Sequence, residues 1–280
     1  MPQVPTATAR DRFVLVLDGV VCGLVTSAEG GDISAPVIRE AGGAFVHKHL
    51  GAPVVEPIEL SLDLSLEKTV YDWIAATWEG KAQARNGSLI ELDVNNQAKS
   101  ELAFEQAVIV STTVPALDAA SKAHARLTVI LDPESTTRGP ASGPVVGLAK
   151  TKRWLQANFR LQIDGLDTTR VSKIDALTVT GAQAGRTDFP DVSVVLAEPS
   201  ADSWFQWHED FVVKGKNDSS GEKSGSLDFL APDLKTKLGT VRLSGLGIHR
   251  LAREQQPEGA STQVARLEAQ LYCQRMELAV

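Results

Sequence analysis

Two histidines, in His47-Lys48-His49, form the only close histidine pair of this chain and come nearest to a metal-binding pattern. On a β-strand, side chains two residues apart point to the same face, so both imidazoles could coordinate one metal ion. No Cys, Asp or Glu follows at ligand spacing, and Lys48 places a positive charge between the rings. The segment is therefore predicted to be a solvated or interface loop, with no metal and no cofactor.

Carboxylates and thiols give no stronger indication of catalysis. Asp18-Gly19 and Asp164-Gly165 stand at matched places in the two halves, and Asp-Gly is a turn sequence. Cys22 and Cys273 are 251 residues apart and are predicted to be small core hydrophobes. The chain has no Gly-x-Ser-x-Gly nucleophile motif, phosphate-binding loop, dinucleotide fingerprint or zinc-protease helix. We therefore expect no catalytic residues and predict that the chain is not an enzyme.

Composition narrows the function classes further. The 280 residues are 43% hydrophobic, which is enough for a proper core and is close to two average domains in length. With 28 basic and 35 acidic residues, the net charge is −7, which disfavours a protein that grips nucleic-acid phosphates. No apolar run is long enough for a transmembrane helix, and Met1–Pro5 shows no secretory signal, so no membrane insertion is expected.

The elements that would position these residues occur twice along the chain. Phe13–Gly19 and Phe159–Gly165 are apolar or alternating segments that end in Asp-Gly. A strand, a helix and Gly-Lys follow in each half: Ile58–Leu64, Leu66–Glu79 and Gly80-Lys81, then Val192–Leu196, Ala201–Val213 and Gly215-Lys216. Ser65 and Ser200 are the predicted N-caps, and Trp73 and Trp207 are the predicted core anchors of these helices.

The repeat continues to the end of each half. Gly-Ser-Leu opens a strand at Gly87 and again at Gly225, and two further strands complete each copy. The matched points lie 146, 134, 138 and 140 residues apart in chain order. The predicted fold is mostly β, a β-sandwich or barrel with one packed α-helix, present as two tandem domains. The predicted boundaries are 1–135 for the first domain, 136–152 for a Pro/Gly/Ser/Thr-rich linker and 153–280 for the second domain.

One loop distinguishes the two copies. Between the second strand and the strand before the helix, the first copy has 27 residues, Gly31–Pro57, whereas the second has 11, Gly181–Asp191. A loop longer than about 12–15 residues is usually functional or disordered. The apolar residues of Gly31–Pro57 fit disorder poorly, so this loop is predicted to be ordered against a partner.

The first copy resembles the tail-tube proteins of contractile phages and of phage-like contractile injection systems. The resemblance covers about residues 10–135 and depends on the order and spacing of short motifs. They are Phe13–Gly19, Arg39–Gly43, Pro57–Leu62, Val70–Trp73 with Gly80, Asn86–Leu92 and Leu117–Ala120. The second copy is similar only through Asp164-Gly165, Trp207 and Gly225–Leu227, and it lacks the long loop.

This resemblance implies a barrel derived from a β-sandwich that joins its neighbours into a six-fold ring, with rings stacking into a hollow tube. The long loop would reach the adjacent ring. The candidate inter-ring stacking residues are Ile38, Arg39, Glu40, Phe45, His47, Lys48 and His49. The implied partners are further copies of this chain and adjacent tube, hub or baseplate proteins. The implied location is the bacterial cytoplasm during assembly and then a phage or phage-like particle.

The tandem form leaves two arrangements open. Three chains could supply six domains to a pseudo-six-fold ring, which would suit a junction of the tube such as a hub, baseplate or cap end. Six chains could instead form the ring, with the second copies decorating it. A monomeric β-sandwich that binds a sugar or peptide at a sheet edge is a further alternative.

Charge adds one more open choice. Residues 1–150 carry 12 basic and 18 acidic groups, whereas residues 151–280 carry 16 and 17. The acidic groups of the first copy could line a lumen through which cargo or DNA passes without sequence recognition. They could equally form an ordinary solvated surface.

Overall fold

The computed structural model of the chain describes residues 12–146, 148, 154–183, 186–254 and 265–280. Among the predicted segments, Met1–Pro5, residues 147 and 149–152 of the linker, and the first residue of the second domain lie outside the described residues. The described part is mostly β, as predicted.

The first half of the chain contains the following strands, with one α-helix among them. They are β1 (Arg12–Leu17), β2 (Val20–Val25), β3 (Ser27–Gly30), β4 (Ile33–Ser34), β5 (Val37–Gly42), β6 (Phe45–Leu50), β7 (Val54–Val55), β8 (Ile58–Leu62), α1 (Lys68–Trp78), β9 (Arg85–Leu92), β10 (Ala98–Val114), β11 (Leu117–Asp118), β12 (His124–Ala125), β13 (Leu127–Asp132) and β14 (Ser135–Pro140).

The second half repeats this order with fewer strands. Its elements are β15 (Trp154–Leu155), β16 (Phe159–Ile163), β17 (Val171–Ile174), β18 (Leu177–Gln183), β19 (Arg186–Asp188), β20 (Val192–Ala197), α2 (Asp202–His208), β21 (Lys223–Leu230), β22 (Lys237–Arg253) and β23 (Arg266–Ala279). A 3-10 turn, Glu198–Ser200, precedes α2, and a π-helical segment, Glu209–Val213, continues it.

The chain divides into two compact units, and neither is continuous in sequence. Unit 1 takes the described residues up to Leu62, then Gln83–Val110 and those from Val129 to Leu148. Unit 2 takes Asp63–Ala82, Ser111–Thr128 and the described residues from Trp154 onward. Residues 136–140 of the predicted linker belong to β14, which pairs with β10. The proposed domain boundaries remain a prediction.

The two main sheets share a run of five strands in an equivalent order, β1-β9-β10-β13-β8 in one and β16-β21-β22-β23-β20 in the other. The first sheet has ten strands: its main path is β2-β1-β9-β10-β13-β8-β3, β14 and β18 also pair with β10, and β19 pairs with β18. Unit 2 has the order β16-β21-β22-β23-β20-β17-β11. The long, alternating strands of both sheets supply most of the buried aliphatic side chains. The alternation arises because successive residues of a strand point to opposite faces.

The two sheets also share their register. Leu15 lies opposite Leu89 in unit 1, and Leu161 lies opposite Leu227 in unit 2. The amides of Asp18 and Asp164 donate equivalent hydrogen bonds of 2.9 Å, to the carbonyls of Asn86 and Ser224. Residues 146 and 138 positions apart therefore occupy the same places in the two sheets.

The two Asp-Gly turns direct the chain differently. Asp18 and Gly19 both have positive φ, at 50° and 81°, which is the geometry of a tight hairpin turn that returns β2 alongside β1. At the second turn only Gly165 is left-handed, with φ at 73°, and the next strand, β17, pairs with β20 instead. Within the described chain, β16 therefore ends its sheet and has β21 as its one paired neighbour.

Both helices occur close to their predicted ranges. Their predicted anchors are buried, including Trp73 and Trp207, and Gly80 and Gly215 end the helices in the left-handed conformation. The predicted serine caps are wrong. α1 begins after Glu67, which makes no side-chain cap. Ser200 is the last residue of the 3-10 turn Glu198–Ser200, which contains Pro199, and Ala201 takes the capping position of α2.

Helix α1 packs within unit 2, against β18 and β23 of the second half of the chain. Six of its eleven residues are buried: Val70, Tyr71, Trp73, Ile74, Thr77 and Trp78. The Tyr71 hydroxyl donates to the Asp63 carbonyl and accepts from the Leu66 amide, at 2.9 and 3.0 Å. These contacts fix the segment that leads into the helix.

Gly245 lies in β22 at a bulge that interrupts the pairing of this strand with β21. Its φ is +63°, and an added Cβ would lie 2.8 Å from the side chain of Gln274. Gly245→Ala should lower the free energy of unfolding by about 1–3 kcal/mol, because left-handed backbone is costly for alanine. Chemical denaturation measures the loss. Gly139→Ala is the control, since no atom lies within 4 Å of its added Cβ, and an equal loss there would contradict the expectation.

Candidate assembly surface

The long loop of the first half folds into a two-stranded arm. We call Gly31–Ser34 with Val54–Val55 the arm base, where β4 pairs with β7, and Val37–Leu50 the arm tip, where β5 pairs with β6. The tip strands are joined by Gly43-Ala44, and Gly43 has φ +67°, as a two-residue hairpin with glycine in the first place requires. The loop therefore consists of paired strands, and its order against a partner remains a prediction.

Polar contacts anchor the arm base to β14. The buried Thr136 hydroxyl donates to the Gly31 carbonyl at 2.8 Å, and the Arg138 guanidinium donates to Asp32 Oδ1 at 2.9 and 3.1 Å. Gly31 is buried with φ +73°, and a Cβ there would lie 2.7 Å from Leu102. The direction in which the arm leaves unit 1 is therefore fixed by packing and hydrogen bonds.

All seven predicted stacking residues lie in the arm tip and are exposed. Because directly paired residues of a ribbon point to the same side, the pairing assigns each residue to a face. One face carries Ile38, Glu40, Phe45, His47 and His49, and the other carries Val37, Arg39, Ala41, Val46, Lys48 and Leu50. The seven residues are thus brought together in one ribbon but divided between its two faces.

The arm tip exposes apolar side chains on both faces. Phe45 is 79% exposed, and Leu50, on the other face, is 69% exposed. Exposed apolar clusters of this kind mark surfaces that bind another molecule. A two-stranded ribbon also gains little stability alone in water, which gives a second reason for the tip to be covered in its working state.

Two like charges lie side by side on the second face of the arm tip. Arg39 is directly opposite Lys48 in the ribbon, an arrangement that is destabilising in isolation. Within the residues that the structure describes, neither side chain forms an ion pair. The face therefore favours a partner that supplies carboxylates.

The described residues include no group of three or more His, Cys, Asp and Glu side chains placed to hold a metal ion. His47 and His49 lie on one face of β6, as the strand spacing predicts, and Glu40 is directly opposite His47. These residues belong to the exposed arm tip, where they can contribute hydrogen bonds and charge to an interface.

The other residues singled out by sequence have structural roles. Asp18 forms the β1–β2 turn and an ion pair of 3.0 Å with Arg85. Cys22 and Cys273 are buried, as predicted, and burial raises the pKa of the Cys273 thiol. The Trp207 indole donates to the Gly221 carbonyl at 3.0 Å and lies beneath the ammonium of Lys223.

A cleft of about 750 Å³ lies beside Trp207 in unit 2. Its charged groups are already paired with neighbours. Hydrogen bonds from Gln206 and from Lys214 lower the pKa of Asp210 to about 2, and Glu222 accepts from the Tyr272 hydroxyl at 2.8 Å. Asp210 is therefore ionised at neutral pH.

Sequence reasoning missed a second exposed apolar surface, on α2 and the segment that continues it. Phe205, Val212 and Val213 are 44%, 41% and 64% exposed, although the helix was expected to act only as a core anchor. A residue-by-residue comparison of the two predicted helices would have found it, because Phe205 and Val212 stand where the first helix has Tyr71 and Trp78.

The described helices are all too short or too polar to cross a membrane. This finding concerns helices alone.

The chain is similar to solved structures of contractile injection systems, whereas no family model and no curated protein matches it. One is the tube-terminating cap of the anti-feeding prophage, 24% identical over 50% of this chain and 95% of that chain, with a TM-score of 0.41. Two others belong to an extracellular contractile injection system, PVC, in its extended state. They are a sheath–tube complex (19% identity, 46% of this chain and 89% of that one, TM-score 0.41) and a sheath/tube terminator (20%, 49% and 98%, TM-score 0.41).

Polar substitution at the arm tip should leave the fold intact. Phe45→Ser combined with Leu50→Ser is expected to change the free energy of unfolding by less than about 0.5 kcal/mol, because both side chains are already mostly in water. Thermal and chemical denaturation check this. Ile58→Ser, at a fully buried position, is the comparison and should destabilise by several-fold more. A large loss from the arm-tip pair would mean that the tip folds back onto the core.

Proposed function

We propose that this chain is a structural subunit of the tube of a phage tail-like or contractile injection particle, and that it forms a ring at a junction of that tube, at a hub, baseplate or cap end. The observation that carries the proposal is the arm. Its base is anchored by Thr136 and Arg138, while its tip exposes Phe45, Leu50 and the Arg39–Lys48 pair to a partner. The sequence resemblance to tail-tube proteins supports the same assignment.

The arm tip would contact the adjacent layer of the tube. Its apolar side chains would be buried there, and carboxylates of the neighbour would neutralise Arg39 and Lys48. The neighbour would be a further ring of this chain or an adjacent tube, hub or baseplate protein. The chemistry of the interface is structural, and it requires neither a catalytic group nor a cofactor.

The ring would contain three chains. Support comes from the shared strand order and register of the two sheets, which fit two copies of one building block. Three chains would then supply six blocks to a pseudo-six-fold ring, and closure would cover strand edges that are otherwise prone to aggregate. Only three of the six blocks would carry an arm, so such a ring suits a junction better than a repeated layer.

A ring of six chains, with the second copies decorating it, is the alternative arrangement. A monomeric module that binds a peptide or sugar is the alternative function, and the observation that favours it is the open edge of β16 at the end of its sheet.

The lumen of a ring would be lined in part by the acidic first copy, so that cargo or DNA would slide without sticking. Reversing the charge of lumen-facing carboxylates should then increase cargo retention.

Mass photometry of the purified chain tests the ring. The expected species has three times the 29.9 kDa mass of the single chain. A six-chain ring as the sole assembly would overturn the three-chain arrangement while keeping the tube proposal. A monomer at every concentration would favour the binding module.

Removal of the arm tip tests its role in stacking. Replacing Val37–Leu50 by Asn-Gly is sterically simple, because the Gly51 amide already donates to the Pro36 carbonyl at 2.8 Å and holds the two ends together. We expect an unchanged melting temperature and an unchanged ring, with longitudinal association of rings lost in electron micrographs. Val94→Ser, which changes an exposed apolar residue outside the arm, should leave association intact. Unfolding of the deletion variant would show that the tip is part of the core.

A further inference from the structure

Unit 2 contains a junction between elements from the two halves of the chain. Ser111–Val114, at the end of β10, pairs with Leu177–Thr180 of β18, and the hydroxyls of Thr113 and Thr178 lie 2.9 Å apart across the pair. Helix α1 covers the same region by packing against β18 and β23. We call this the internal junction.

The receiving hairpin of the internal junction has a counterpart in the arm base. Thr180 lies opposite Asp188 in the β18–β19 hairpin, and Ser34 lies opposite Val54 in the arm base. Thr180 is 146 residues after Ser34, and Asp188 is 134 residues after Val54. The same two offsets relate β16 to β1 and β20 to β8. The arm base and the β18–β19 hairpin therefore occupy one place in the repeated block.

The donating strand also has a counterpart, in β22. Leu89 pairs with Leu102, and Leu227 pairs with Val241, so residues of β22 match those of β10 at an offset of 139. Each strand has a left-handed residue beside its bulge, Gln106 with φ 50° in β10 and Gly245 with φ 63° in β22. These two residues are also 139 positions apart. Ser111–Val114 therefore corresponds to Arg250–Arg253.

Both counterparts lack the partner that the internal junction provides. In the described part of the chain, Arg250–Arg253 pairs with β23 on one side and with no strand on the other, and β4 pairs only with β7. Ile33 is 61% exposed, whereas its counterpart Val179 in the internal junction is 1% exposed. An apolar side chain is thus left in water at a place where the repeated block otherwise buries one.

The helices give an independent indication of the same open surface. Tyr71, Ile74 and Trp78 of α1 are buried, at 4%, 0% and 2% exposure. Their counterparts, 134 residues later, are Phe205, His208 and Val212, which share one helical face and are all at least partly exposed. The face formed by Phe205, His208 and Val212 therefore corresponds to a buried face of α1 but is itself open to solvent.

We propose that a second copy of this chain completes the interface, with Gly31–Ser34 of one copy pairing antiparallel with Arg250–Arg253 of the other. Ser34 lies opposite Arg250, Ile33 opposite Leu251, and the α2 face of Phe205, His208 and Val212 covers the sheet of the copy that donates the arm base. This inference rests on the proposed ring and specifies how its chains join. The contact is heterologous, so it repeats around the ring until the ring closes.

The charged residues at the two edges already have partners within the chain. Arg250 pairs with Glu268, Arg253 pairs with Glu198, and Asp32 pairs with Arg138. Backbone hydrogen bonds would therefore supply the main polar contacts between the two copies, as in other cases of strand addition.

Paired cysteines test the register. In the variant with Ser34→Cys and Arg250→Cys, mild oxidation should give interchain disulfides and a ladder of covalent multimers on denaturing gels, because directly opposite residues of adjacent strands are within disulfide range. The variant with Ser111→Cys and Thr180→Cys is the matched control and should form the same bond within one chain. The variant with Ser34→Cys and Leu251→Cys is shifted by one residue, so its side chains point to opposite faces and should cross-link at least about tenfold less.

Substitutions on α2 test the helix face without added cysteines. Phe205→Glu should raise the dissociation constant of the assembly at least about tenfold, because a charge replaces an apolar side chain in a buried contact. Val213→Glu is the matched control, since the corresponding residue of α1 is already the exposed Glu79, and assembly should be unchanged.

The outcomes separate this inference from the proposed ring. Rings that form in mass photometry without cross-linking at Ser34 and Arg250, or with equal cross-linking in the shifted variant, would overturn the pairing and leave the ring proposal standing. A chain that remains monomeric would overturn the ring proposal itself. Cross-linking in the predicted register, together with weakened assembly in Phe205→Glu alone, would establish the interface.

Discussion

The strand at the edge of a β-sheet has a row of backbone donors and acceptors without partners, and the organisation of this chain depends on how those edges are covered. In unit 1 the Asp18-Gly19 turn folds β2 back onto β1, and in unit 2 the corresponding turn leaves β16 at the end of its sheet. At the internal junction, the end of β10 is covered by β18. The same physical requirement is met within the chain at one place and is left open at its counterpart in β22.

The arm follows from the same requirement. Its base corresponds in position to the β18–β19 hairpin, which pairs with β10, and its tip is an additional ribbon beyond that base. Because Thr136 and Arg138 hold the base while the tip is exposed, the two parts are suited to different neighbours. In the proposed assembly, the base would contact a copy in the same ring and the tip would contact the next layer.

Much of this fold could be predicted from the sequence where the signal is local. Helical spacing around Trp73 and Trp207 and the Asp-Gly turns each depend on neighbouring residues, and the structure agrees with them. The predicted N-caps at Ser65 and Ser200 are wrong, because α1 begins after Glu67 and Ser200 ends the 3-10 turn Glu198–Ser200, so that Ala201 takes the capping position of α2. The packing of α1 on β23 could not be predicted, because it joins segments almost 200 residues apart. The seven arm-tip residues were found from loop length and family likeness, but Phe205 was missed because helical spacing does not report which face is covered.

The dependence of α1 on β18 and β23 has a consequence for the order of events during synthesis. Until residues 177–180 and 266–279 have left the ribosome, Tyr71, Ile74 and Trp78 lack their cover, and the first half resembles a block with an unsatisfied end. Once the chain is complete, its own β18 reaches the end of β10 and α1 at a far higher effective concentration than a strand of any other molecule does. The covalent link between the halves therefore favours formation of the internal junction before any junction of the proposed ring. Two separately synthesised halves would lack this order of steps.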